Sequence, residues 1–88
     1  MTIKEFRTDI KRFRQAIQKW AASAETTDDK ELAKQYHRDA KDLLAVMARI
    51  ECGNMYSAMQ LIKQLDTLVR DQIPKRLYNF IAKANGYL

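Results

Sequence analysis

Lys4, Arg7, Lys11 and Arg14 recur at spacings of 3, 4 and 3. On a helix that spacing places four cations along one edge, roughly 5–6 Å apart from one to the next. A stripe of this kind binds anions, either the phosphates of a nucleic acid or the acidic side chains of a protein. Lys63, Arg70, Lys75, Arg76 and Lys83 form a second basic grouping toward the C-terminus. Lys4, Arg7, Lys11, Arg14, Arg70, Lys75 and Arg76 are therefore the candidate partner- or phosphate-binding residues. The competing reading of the first stripe is a solvated flank beside a hydrophobic seam, as in coiled coils.

Bond-making chemistry is poorly provided for. His37 is the only histidine and Cys52 the only cysteine. Both fall on one expected helix, fifteen residues and so roughly 22 Å apart, too far for a Cys–His pair. One of each cannot build a structural zinc site without carboxylates or a second chain. His37-Arg38-Asp39 echoes a kinase catalytic loop, but with two glycines in the chain there is no phosphate-cradling loop to accompany it. No catalytic, cofactor-binding or metal-binding residue is assigned, and the expectation is a protein that is not an enzyme. Asp39 stands apart from the other acids because it projects on the side of Leu32, Val46 and Ile50. A carboxylate there needs a partner, and the expectation is a buried ion pair with a base of the first or third helix.

The elements that carry these residues are legible from apolar spacing. Ile3, Phe6, Ile10, Phe13, Ile17 and Trp20 recur at 3, 4, 3, 4 and 3 behind the capping box Thr2-Ile3-Lys4-Glu5. This predicts a first helix from about Ile3 to Ala22, with Glu5, Asp9 and Arg12 on its flank opposite the basic stripe. Thr26 or Thr27 is expected to cap a second helix, which runs to about Cys52 and ends at Gly53. Its stripe is Ala33, Tyr36, Ala40, Leu43, Met47 and Ile50, widened by Leu32, Leu44 and Val46. A third helix is expected from Met55 to Gln72, with Leu61 and Leu68 beside its main stripe. Pro74 stops it and opens a short fourth helix, to about Ala84, whose inner face is Leu77, Phe80, Ile81 and Ala84. The fold expected is all-α: a single-domain antiparallel three-helix bundle with a short fourth C-terminal helix after Pro74.

Composition narrows the function classes. Eighty-eight residues make one domain, with a core too small to enclose much of an active site. A hydrophobic content of 47% excludes a disordered chain. One cysteine, no apolar leader and no run of about 18 apolar residues lead to the expectation of a reduced, cytoplasmic protein with no membrane contact. Sixteen Lys and Arg against eleven Asp and Glu leave a net charge of +5, which favours acidic partners.

Short pieces of the chain resemble the Hha/YmoA nucleoid-modulator family: Thr27-Asp28-Asp29-Lys30-Glu31-Leu32, Tyr36, and Ile73-Pro74-Lys75-Arg76-Leu77-Tyr78-Asn79-Phe80-Ile81. The resemblance implies a small helical protein that acts by binding a nucleoid-structuring protein. The pattern departs from the family's in the extra helix between the pieces and in the register of the acidic residue after Tyr36. The fold and function expectations rest on periodicity and charge instead. They are a small interaction or regulatory protein that binds, and modulates or inhibits, a protein with an acidic surface. Its small size also suits a phage or mobile-element protein. The alternative is a nucleic-acid binder using the stripe of the first helix, for which about four neutralised phosphates would give a log–log salt slope near −3 to −4. A sequence-reading helix-turn-helix is not expected, because the helices flanking Gly53-Asn54 are too long and the second is too poor in cations. The aromatic seam of the first helix also allows a homodimer that completes its core between two copies.

Overall fold

The computed structural model describes residues 1–87, and no strand occurs among them. Five helices follow one another: α1 (Ile3–Thr26), α2 (Lys30–Glu51), α3 (Met55–Lys63), α4 (Thr67–Arg70) and α5 (Lys75–Ala84). Helix α1 packs on α2, α2 on α3, α3 on α5, and α5 returns to α1. The long hairpin α1–α2 is antiparallel: Trp20 meets Tyr36 edge to face, and Arg14 meets Glu51 at the other end.

The expected punctuation marks most boundaries. Thr2 accepts from the Glu5 amide while the Glu5 carboxylate accepts from the Thr2 amide, closing the capping box. Gly53 and Gly86 take φ of +80° and +79°, and the amides after them bond back to Arg49 and Ala82 in Schellman closures. Asn54 caps α3 by accepting from the Ser57 amide. Two expectations shift at the first turn. Helix α1 runs on to Thr26, and the cap of α2 is Asp29, whose carboxylate accepts from the Glu31 and Leu32 amides.

The expected third helix is not continuous. It ends at Lys63, where the Gln64 and Leu65 amides reach back only three residues, and the chain turns a corner before the single turn of α4. Arg70 fills the carbonyl freed by that turn, its Nη2 donating to Leu65 O at 3.1 Å. Ile62, Leu65, Val69 and Ile73 remain buried throughout, so the apolar rhythm survives the break in the backbone.

The core is centred on Phe13, Leu43, Val46, Leu77 and Ile81, all fully buried, with Met47 and Met59 filling space among them. Several apolar residues expected inside are not: Leu32, Leu44, Leu68, Phe80 and Ala84 are exposed, and Ile3 is 74% exposed. On α1 the buried line is Asp9, Phe13, Ile17 and Ala24. The helix is thus rolled away from its heptad seam toward the side bearing Asp9, leaving Ile3 outside and Phe6 and Ile10 half-buried.

Candidate functional site

Helix α1 has two flanks, and they meet different fates. On one, α5 lays Arg76 against Glu5 and Asp9. Arg76 grips Asp9 with two bonds, from Nε and Nη2, each 2.9 Å, and its Nη1 reaches Glu5 at 2.6 Å. Asp9 is 1% exposed. The Arg76 bonds hold its carboxyl below the usual carboxylate range against the opposing effect of burial. The Glu5 carboxyl is lowered too, first by its capping bonds with Thr2 and then by Arg76. Arg76 itself is driven more strongly cationic by Asp9.

This corrects two expectations. Arg76 is committed within the chain and is not a free partner-binding cation. The buried ion pair is built on Asp9, not on Asp39. Asp39 is buried as expected, but its hydrogen bond comes from Gln35 Nε2 at 2.9 Å, and no cation pairs with it among the described residues. Burial therefore raises the Asp39 carboxyl above its ordinary value, with Asp42 and Asp66 adding to that and Gln35 and the exposed Arg38 opposing it.

A raised carboxyl adds stability below its unfolded value and loses it as pH climbs through the folded one. Asp39→Asn is therefore expected to melt higher than the parent at pH 7. That advantage should shrink toward zero as pH falls below the carboxylate range, as followed by thermal melts from pH 7 to pH 3.

The other flank of α1 is open. A groove of about 680 Å³ runs along it, with Phe6 and Ile10 as its floor and Arg7, Lys11 and Arg14 as one wall. Gln15 and Gln18 continue the wall, and Glu51, the last residue of α2, stands opposite. The groove exists because α2 gives out alongside the N-terminal half of α1. Phe6 is backed from the other side by Phe80, at 6.4 Å in an edge-to-face contact.

Of the basic stripe, Lys4, Arg7, Lys11 and Arg14 are all exposed, and Arg14 bonds Glu51 at 3.1 Å. Lys4, Arg7 and Lys11 have no acidic partner among the described residues. The second basic grouping does not assemble with the first: Lys75 is exposed beside a separate cleft with Arg70 and Tyr78. His37 and Cys52 are both exposed, and the Cys52 thiol donates to Arg49 O. Among the described residues no group of three or more His, Cys, Asp or Glu is placed to hold a metal.

The arrangement offers a ligand a row of cations beside an apolar floor. Sequence reasoning found the cationic wall and missed the floor, because Phe6 and Ile10 read as core. It also missed Asp9, whose one clue was an acid pair, Glu5 and Asp9, one turn apart on a flank that α5's bases must face. Compared with protein-family models, curated proteins and solved structures, the chain matches none. No helix of the described residues is long and apolar enough to cross a membrane.

Proposed function

We infer that this protein is a non-enzymatic interaction module that binds an acidic protein surface through the open flank of α1 and thereby modulates its partner. One observation carries the reading: the unpaired cations Arg7 and Lys11 line a groove with a half-buried apolar floor, Phe6 and Ile10, and Lys4 extends the same edge of α1. Charge beside apolar area is what a protein interface uses, the first for steering and the second for affinity. A phosphate backbone would use the cations and gain nothing from the floor.

A photo-crosslinking residue placed at Gln15, in the groove wall, is expected to capture one discrete protein in the cell of origin. The same residue at Lys34, exposed on α2, should not. The triple variant Lys4→Glu, Arg7→Glu, Lys11→Glu should lose the Gln15 product while keeping its helical circular dichroism. Equal capture at both positions, or none at either, would overturn the reading. The nucleic-acid alternative predicts a shift of short duplex DNA at low salt. With three free cations its log–log salt slope would be about −3.

A further inference from the structure

We propose that the occupant of the α1 groove is a single acidic amphipathic α-helix of a partner protein, lying along α1 beside the end of α2. This rests on the protein-binding reading above and adds the secondary structure and chemistry of the ligand.

The groove extends from Phe6 to Gln18, about 18 Å at 1.5 Å per residue, the length of roughly three helical turns. Its walls are helices whose backbone donors and acceptors are spent internally, so it offers no sheet edge on which an extended peptide could add a strand. Its floor has one aromatic ring, Phe6, and not the succession of rings that a polyproline ligand stacks on. A helix needs neither. It needs an apolar seam to lie on and a flank of suitable charge, and both are present.

An incoming helix thus meets Phe6 and Ile10 from α1, with Glu51 at the end of α2 beside it. Acids along its flank would face Arg7 and Lys11 in the groove wall. A second copy of this chain is a poor occupant, since a two-fold contact would set that cationic wall against its own copy in a protein of net charge +5.

The test uses a dye-labelled peptide of about 14 residues, long enough for nearly four turns. It carries leucine at heptad a and d positions and glutamate on both flanks. One control has the same composition in an order without amphipathic spacing. A second keeps the spacing and replaces glutamate by lysine. Fluorescence anisotropy against the full chain at low salt is expected to show the acidic helix binding about ten-fold more tightly than the reordered peptide. Ile10→Asp, in the floor, and Lys11→Glu, in the wall, should each weaken it by a similar factor. Lys11 is exposed, so its variant keeps the test meaningful if Ile10→Asp disturbs folding.

Equal binding of the reordered peptide would overturn the helical occupant while leaving an acidic partner in place. Preference for the lysine peptide, or binding of duplex DNA with neither acidic peptide, would overturn both. Failure of every ligand to bind would overturn the proposal.

Discussion

Arg76→Ala is expected to lower the melting temperature by about 10–20 °C, at about 4–8 °C per kcal/mol for a domain of this size. The cause lies with Asp9. Its carboxylate is 1% exposed and held by two bonds from Arg76. A carboxylate left so deep without its partner costs about 2–3 kcal/mol, near the low end for broken buried pairs because Arg76 is half open to solvent.

Adding Asp9→Asn to Arg76→Ala should recover part of the loss, because the amide removes the stranded charge. The acid limb of stability carries the same signature. Asp9 is held below its ordinary value, so its contribution is present above the unfolded carboxylate range and is lost as pH falls through the lowered one. Arg76→Ala should flatten that dependence. A variant that melts within about 2 °C of the parent at neutral pH would show that the pair does not hold α5 to α1.

Phe13→Ala should be as damaging or more so, at about 3–5 kcal/mol from lost burial and the cavity left behind. For a small domain that is a large share of a total stability of about 5–15 kcal/mol. Chemical denaturation should show the midpoint collapse or the cooperative transition disappear. The informative comparison is Ile3→Ala. A uniform heptad seam gives Ile3 and Phe13 equivalent places, but Ile3 is 74% exposed and Phe13 is fully buried. Ile3→Ala is expected to stay within about 0.5 kcal/mol of the parent. Similar losses for the two would mean that α1 is not rolled toward Asp9 as described.

Helices α1, α2 and α5 were readable because each is announced by local chemistry: the Thr2–Glu5 box, the glycines at 53 and 86, and Pro74. The corner between Lys63 and Thr67 was not readable. Gln64-Leu65-Asp66 contains neither glycine nor proline, and Ile62, Leu65, Val69 and Ile73 keep a helical rhythm across it. What stabilises the corner is tertiary, including the bond from Arg70 to Leu65 O.

The site divides in the same way. The cationic wall follows from spacing alone, because Lys4, Arg7, Lys11 and Arg14 lie on one edge wherever the helix is placed. Which cations stay free does not, since Arg14 and Arg76 are claimed by Glu51 and Asp9 from 37 and 67 positions away. The fate of Asp39 was illegible for a related reason. Its burial follows from periodicity, but its lack of a cation depends on where every neighbouring arginine turns.

The clasp between α5 and α1 also bears on how the domain opens. Chain ends ordinarily fray first, because their last turns have few partners to lose. Here the C-terminal helix cannot peel away without uncovering Asp9 and withdrawing its counter-charge in one step. Release of α5 is thereby tied to loosening of the N-terminal half of α1, the half that walls the groove. Amide hydrogens on these two segments, remote in sequence, should exchange with solvent as one cooperative unit.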